Sequence, residues 1–255
     1  MTAASGGALF GVAIVGGVVN AIAGGGTFIV FPSLLLAGVP AIQANATNTA
    51  ALWPGVLFSL FAYRQELSQA RYRVLMASLS LAGGLVGAIV LLRTPPAFFE
   101  RSVPFLLLVA TLLFACNPLL TRRLTRSQTP GVVGPGRFAV VAVVLFLIAV
   151  YGGYFGGGIG ILILGALGLL GITDFHRMNA MRLLMSCSAN ATAVVAFSLA
   201  GAVAWPEATL MLVGAIAGGY GGARLARRLR AALLRQIVIA LGLSMSAYFF
   251  YRQFA

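Results

Sequence analysis

The chain has 255 residues, of which 60% are hydrophobic and 8% are charged, and it carries a net charge of +13. Its charged residues cluster in short patches between long uncharged runs, a distribution that excludes an ordinary soluble domain. All 17 basic residues are arginines and most of them flank apolar runs, so the positive charge indicates membrane topology and argues against a nucleic-acid partner.

The predicted elements begin with a long uncharged segment at residues 7–39. A hydrocarbon core about 30 Å thick needs roughly 20 apolar residues per helix, and the 63 residues before Arg64 contain no charged side chain. Three ordinary spans follow, near 44–63, 72–93 and 97–117. The second half has the same order, with a long segment at 138–172 and spans near 175–200, 206–224 and 232–251.

Three motifs recur at nearly constant spacing. The glycines at 24–26 are repeated at 156–158, at an offset of 132 residues. The polar motif at 45–48 is repeated at 179–182, at an offset of 134. GLVGA at 84–88 is matched by GYGGA at 219–223, at an offset of 135. Such repeats are typical of transporters. We therefore predict one membrane domain with two repeats, residues 1–120 and 137–255, joined by an arginine-rich linker at 121–136.

Each long segment is long for one helix and short for two, and its central glycines favour a break in the helix. Unwound backbone is tolerated at membrane depth only where protein or a water-filled cavity covers it. Two interpretations stay open: each segment is a re-entrant hairpin, or it forms two short spans.

The arginine positions test whether each long segment returns to the side from which it entered. If each segment crosses once, eight loop arginines lie on each side of the membrane, with Arg182 omitted from the count. If each segment turns back, thirteen lie on one side and three on the other, namely Arg93, Arg101 and Arg252. The positive-inside bias favours the second arrangement. It predicts an odd number of crossings in each half and therefore inverted repeats, with the linker in the cytoplasm and both termini outside.

A helix that begins just after each glycine break directs unpaired N–H groups and a partial positive charge into the membrane interior, which suits an anion. In the first half we expect Thr27 to cap this helix and Asn20 to line the approach. Alternatively, glycine only permits close helix packing. We interpret three glycine pairs in that way: Gly83/Gly87, Gly214/Gly218 and Gly218/Gly222.

Arg182 lies about eight residues inside a predicted helix, roughly 12 Å deep. A charge at that depth is costly unless it faces a cavity or a partner, so we predict a role in ligand binding; the alternative is snorkelling to the cytoplasmic interface. Nearby polar residues could surround an oxyanion or could simply hydrogen-bond neighbouring helices. The predicted substrate site comprises Asn20, Gly24, Gly25, Gly26, Thr27, Asn45, Thr47, Asn48, Gly156, Gly157, Gly158, Asn179, Arg182, Ser186 and Asn190.

The sequence predicts no catalytic or metal centre and no cofactor. His176 is the only histidine, and the two cysteines, Cys116 and Cys187, lie in separate apolar stretches, so neither a multi-histidine site nor a CxxC motif is available. Asp174 is expected to cap a helix, and the other carboxylates lie near span ends. No buried carboxylate pair marks a sodium or proton site.

Three stretches carry a family resemblance: NAIAGGGTFIVFP at 20–32, NATNT at 45–49 and YGGYFGGGIG at 151–160. In their order and duplication they resemble the TauE/SafE family of membrane proteins, the sulfite exporters, over nearly the whole chain. The resemblance implies export or uptake of a small anion, typically sulfite, a sulfonate or a related organosulfur compound, without ATP-binding machinery. The sequence departs from the family pattern at 179–182, where Arg182 replaces a residue of a Thr/Ser-rich motif, so the anion is left open.

The leading interpretation is a multi-pass secondary transporter of the bacterial inner membrane that moves a small organic or inorganic anion by alternating access. Its expected partners are that anion and the lipid bilayer, and its small-residue faces would permit a homodimer. The alternatives are an anion channel and a non-transporting membrane partner subunit. An enzyme is not expected.

Overall fold

The computed structural model describes residues 3–23, 25–68, 70, 72–126, 135–168, 174–225 and 231–254. Within these residues the secondary structure is entirely helical. The first half contains α1 (Ala3–Ala23), α2 (Thr27–Leu36), α3 (Ala41–Ala62), α4 (Arg64–Ser68), α5 (Arg73–Arg93) and α6 (Pro96–Arg126). The second half contains α7 (Pro135–Tyr154), α8 (Ile159–Gly168), α9 (Phe175–Leu199), α10 (Trp205–Leu225) and α11 (Ala231–Phe254).

Most helices coincide with the predicted spans. The bounds of α3, α5, α9, α10 and α11 lie within three residues of the expected ones, whereas α6 continues to Arg126, into the expected linker. Residues 121–126 contain neither glycine nor proline, so nothing in them stops the helix. Residues 127–134 of the expected linker lie outside the described part of the chain.

The described helices have the composition of a membrane protein. Four of them are long and apolar enough to cross a bilayer, judged by length and hydropathy: Arg73–Arg93, Pro96–Cys116, Gly136–Tyr154 and His176–Leu199. The predicted all-α membrane class is confirmed at this level.

Each long uncharged segment contains one long helix and one half-length helix. The long members, α1 and α7, have 21 and 20 residues, and the short members, α2 and α8, have 10 each. Ten residues extend about 15 Å, half the thickness of a hydrocarbon core. Each segment therefore combines a helix of about full membrane length with one of half that length.

The two breaks differ in backbone conformation. In the first half α1 and α2 fold back on each other, with Asn20 packed on Gly26 next to the break and Gly16 packed on Val30 further from it. In the second half Gly156 and Gly158 have φ values of +79° and +76°, which glycine adopts without strain. The hydroxyl of Tyr151 donates to the carbonyl of Gly157 (2.7 Å) and so holds this second turn to α7.

The most extensive helix contacts exchange between the halves: α1 packs along α10, and α7 packs along α5. At matching points Gly218 lies against the carbonyl of Ile14, and Gly83 lies against the carbonyl of Phe146. These two contacts are equivalent, because Ile14 and Phe146 are 132 residues apart and Gly83 and Gly218 are 135 apart. Gly83/Gly87 and Gly214/Gly218 pack against neighbouring helices, as predicted; the contacts of Gly222 lie outside those described.

Two further pairs join equivalent helices. The indole Nε1 of Trp53 on α3 donates to the carbonyl of Cys187 on α9 (3.1 Å), and these residues are 134 positions apart, the offset of the polar motifs. The α6–α11 pair is joined by Ser246, whose hydroxyl donates to the carbonyl of Pro104 (2.8 Å). The Trp53–Cys187 bond thus joins the same position of the two halves, whereas Ser246 and Pro104 join equivalent helices at positions 142 residues apart.

Candidate functional site

The polar motif on α3 links the two glycine breaks. The side-chain Nδ2 of Asn45 donates to the carbonyl of Tyr154, the last residue of α7 (3.0 Å), and Nδ2 of Asn48 donates to the hydroxyl of Thr27 at the start of α2 (3.4 Å). Both asparagines are buried, with 1% and 2% of their surface exposed. One helical turn of α3 therefore contacts both broken segments.

Each of these asparagines has a buried acceptor without a partner. Oδ1 of Asn45 and Oδ1 of Asn48 make no hydrogen bond within the described chain. The orientation of the Asn45 amide follows from its partner, because a carbonyl oxygen such as that of Tyr154 accepts and must face the NH₂ group. A buried unpaired acceptor costs about 1–3 kcal/mol, so the pair calls for a ligand or water.

Arg182 on α9 lies over the first turn of α8. Its Nε donates to Oδ1 of Asn179 (2.8 Å), one helical turn earlier. A Cβ placed on Gly160 would lie 2.9 Å from Nη1 of Arg182, so the guanidinium rests where any other residue has its side chain. Among the described residues the N–H of Gly160 has no backbone acceptor. The neighbouring N–H groups of Ile159, Ile161 and Leu162 donate to carbonyls of the break, so Gly160 offers the one free N–H of this turn among the described residues. An arginine beside a free N–H at a helix N-terminus is a favourable environment for an anion.

The contact of Asn48 with Thr27 and the contact of Arg182 with Gly160 are related by the sequence repeat. Asn48 and Arg182 are 134 residues apart, and Thr27 corresponds to Ile159, the residue before Gly160, at an offset of 132. In each half the polar residue therefore contacts the first turn of the half-length helix. The difference is that the first half presents an amide and the second half presents a positive charge.

Ser186 and Asn190 extend the polar face of α9 beyond Arg182 at successive steps of four residues. Ser186 Oγ and Asn190 Oδ1 are buried and make no hydrogen bond within the described residues. The same part of the chain holds no group of three or more His, Cys, Asp or Glu that could bind a metal. The polar face is thus composed of neutral groups apart from Arg182.

The other predicted site residues have different roles in the structure. The prediction that Thr27 caps α2 is wrong: the N-cap is Gly26, which has helical dihedrals (φ −57°, ψ −36°), so Thr27 is already the first helical residue. Thr47 is buried and accepts from the backbone N–H of Ala204 (3.0 Å), which ties α3 to the start of α10. Asn20 packs on Gly26, and Gly24 lies outside the described residues.

Asp174 caps α9, as predicted. The backbone N–H of Arg177 donates to Oδ1 of Asp174 (2.8 Å) and holds the pKa of this carboxyl below its ordinary value. The cap fixes where α9 begins, and Arg182 follows two turns later.

Sequence reasoning missed three contributions to the site: Gly160, the carbonyl of Tyr154 and the hydroxyl of Tyr151. All three lie in the YGGYFGGGIG stretch that marked the second break. The sequence places these residues next to the glycines at 156–158, but it does not show their partners on α3 and α9, because those depend on how distant helices pack.

The fold and site define a polytopic helical membrane protein whose two glycine-broken segments meet a common polar centre. The chain belongs to the TauE/SafE sulfite exporter family, whose match covers residues 9–249. It is therefore a member of a membrane transporter family, as the resemblance had indicated.

Curated relatives agree with this assignment. The chain is similar to a "Probable membrane transporter protein" of Haemophilus influenzae, with 29% identity over 252 residues that cover 96% of this chain and 94% of that protein. It is also similar to "Probable membrane transporter protein ORF9" of Sinorhizobium sp (28% identity, 93% and 89% coverage) and to "Probable membrane transporter protein YfcA" of Escherichia coli K12 (26%, 96% and 89%). No solved structure matches the chain.

Proposed function

We propose that this protein is a secondary transporter that binds a small oxyanion between Arg182 and the N-terminal turn of α8, and exposes it alternately to the two sides of the bacterial inner membrane. Sulfite, sulfonates and related organosulfur anions are the first candidates, because the family is one of sulfite exporters. The protein acts in this proposal as a carrier and catalyses no reaction.

The observation that carries the proposal is the contact between Arg182 and Gly160. It places a guanidinium next to Gly160, whose N–H is free among the described residues, in the first turn of a half-length helix that starts at a glycine break. Both contribute positive charge at one point, and an arginine whose described partner is the neutral amide of Asn179 is costly in a medium of low dielectric. An oxyanion would satisfy both groups at once.

Alternating access requires two halves that can exchange roles, and three contacts support a two-fold relation between them, which the arginine distribution favours as an inverted one. The Ile14–Gly218 and Phe146–Gly83 contacts are equivalent under exchange of the halves, and the Trp53–Cys187 hydrogen bond joins equivalent positions. In the proposed arrangement each half-length helix begins near mid-membrane, both termini of the chain lie outside, and the halves rock around the central site.

The test is anion counterflow in liposomes that contain the purified protein. Arg182→Gln should abolish counterflow of sulfite, because the loss of a charged hydrogen bond weakens anion binding by about ten- to a hundredfold. Arg137→Gln is the matched control: it removes one arginine from an exposed position at the start of α7 and should transport normally.

The anion can be identified by a thermal-stability panel of sulfite, sulfate, thiosulfate, sulfonates and carboxylates, since a ligand that binds only the folded state raises its melting temperature. Unchanged transport by Arg182→Gln would contradict the assigned site. Single-channel currents would show a channel instead of a carrier, and no counterflow with any anion would favour a partner subunit.

A further inference from the structure

The unpaired atoms of Asn45 and Asn48 cannot be satisfied by a fully deprotonated anion. Both are Oδ1 acceptors, and such an oxyanion offers further acceptors and no donor. The two residues are three positions apart on α3, so their side chains lie on one face, with Cβ atoms about 5–6 Å apart. The proposed anion therefore leaves a second, complementary requirement on this face: a positive charge or a hydrogen-bond donor.

The position of Asn45 favours a positive charge. Its amide contacts the carbonyl of Tyr154, at the C-terminal end of α7, where helix carbonyls point outward and carry a partial negative charge. Each glycine break presents two helix ends of opposite sign, the C-terminus of the long helix and the N-terminus of the half-length helix. Where such broken helices occur in transporters, the former suits a cation and the latter an anion.

We propose that Asn45 and Asn48 bind a monovalent cation, Na⁺, beside the anion. Neutral amide oxygens are suitable ligands for a hard cation, whereas Ca²⁺ and Mg²⁺ sites depend on carboxylates. The four carboxylates of the chain, Glu66, Glu100, Asp174 and Glu207, all lie at or near helix ends, and none of the described hydrogen bonds joins them to Asn45 or Asn48. The site therefore has the oxygen donors for Na⁺ without the charge that a divalent ion requires.

The inference rests on the proposed function, because the cation and the anion would share the second break. Tyr154, which contacts Asn45, and Gly160, which contacts Arg182, flank the same turn. A cation on one side and a guanidinium on the other would together compensate a doubly charged anion, whose burial is otherwise costly. Binding of Na⁺ should then increase the affinity for the anion, and binding of the anion should increase the affinity for Na⁺.

The experiment is a thermal-stability titration of the purified full-length protein with NaCl, without added oxyanion, in which choline chloride keeps chloride and ionic strength constant. We expect a saturable rise in melting temperature with Na⁺ that KCl does not reproduce. Asn45→Leu should weaken the Na⁺ response by about tenfold or more, as expected for the loss of a ligand. Asn48→Asp keeps an oxygen, adds a negative charge and can still accept from the hydroxyl of Thr27, so it should respond at lower Na⁺, which separates loss of the ligand from a failure to fold.

Arg182→Gln distinguishes the two proposals, because it should lose the sulfite response and keep the Na⁺ response. Equal effects of Na⁺ and choline, or an unchanged Na⁺ response in Asn45→Leu, would overturn the cation site even if sulfite still bound. Sulfite binding that is independent of Na⁺ but stronger at low pH would also overturn it, since a protonated anion would then supply the donor. A Na⁺ response without any oxyanion response would preserve the cation site and remove the proposed anion site.

Discussion

Gly160 allows a charged side chain to lie directly on the first turn of a buried helix. A Cβ at this position would approach Nη1 of Arg182 to 2.9 Å, which is too close without a shift. Because the guanidinium is the far end of a flexible side chain, the fold can accommodate the methyl group by moving the charge. The glycine therefore matters for where the charge is held, and much less for whether the helix forms.

Gly160→Ala should for this reason separate binding from stability. Alanine favours a helix by about 1 kcal/mol over glycine, so the melting temperature without ligand should not fall. The displaced guanidinium should weaken sulfite binding by about tenfold or more, the equivalent of one charged hydrogen bond. Gly55→Ala on α3, where nothing lies within 4 Å, is the control and should bind normally. Unchanged sulfite affinity in Gly160→Ala would show that the position of Arg182 is not constrained by Gly160.

The residue-level predictions succeeded where the local sequence decides and failed where distant packing decides. Asp174 was identified as a cap because a cap depends on the residues immediately after it. Thr27 was assigned a cap wrongly because the helix starts at its own position, and its hydroxyl is used by Asn48, 21 residues later. The contact of Arg182 with Gly160 has no local signature, since it depends on how α8 and α9 meet.

At the level of helices, length and hydropathy were sufficient to predict most of the bounds. Uncharged runs bounded by arginine, proline or glycine define the membrane spans, and α3, α5, α9, α10 and α11 follow them. The unequal division of the long segments into 21 and 10 or 20 and 10 residues could not be predicted, because hydropathy is continuous across each break. The division depends on which glycine adopts a left-handed or unwound conformation.

Packing of α1 against α10 offers a test in which two adjacent glycines should behave differently. A Cβ on Gly218 would collide with the backbone carbonyl of Ile14, whereas a Cβ on Gly219 would lie 4.0 Å from the nearest atom, the carbonyl of Gly17. Backbone cannot move aside as a side chain can, so Gly218→Ala should destabilise the protein by about 1–3 kcal/mol, as overpacking does. Gly219→Ala should be neutral or slightly stabilising. The measurement is the melting temperature of the two variants in one detergent, and equal values would show that the helices do not approach as closely as described.

For the whole molecule, the same exchange of contacts that stabilises the fold would supply a route for the proposed alternating access. The α1–α10 and α5–α7 pairs each join one helix from either half, so neither half packs as an independent body. A movement that loosens one pair and tightens its counterpart would leave the total packing nearly unchanged. Inverted repeats make such a movement open one side of the membrane while it closes the other.

The inverted arrangement itself can be tested with two single cysteines at equivalent positions. Gln65 on α4 and Ala200 after α9 are both exposed and are 135 residues apart, so inverted repeats place them on opposite sides of the membrane and parallel repeats place them on the same side. In a Cys116→Ser background, where the remaining Cys187 is buried, a membrane-impermeant maleimide applied to spheroplasts should label Ala200→Cys and spare Gln65→Cys. Both should react after permeabilisation, which controls for accessibility. Labelling of both before permeabilisation, or of neither, would reject inverted repeats, and labelling of Gln65→Cys alone would keep them but reverse the orientation that the arginine distribution predicts.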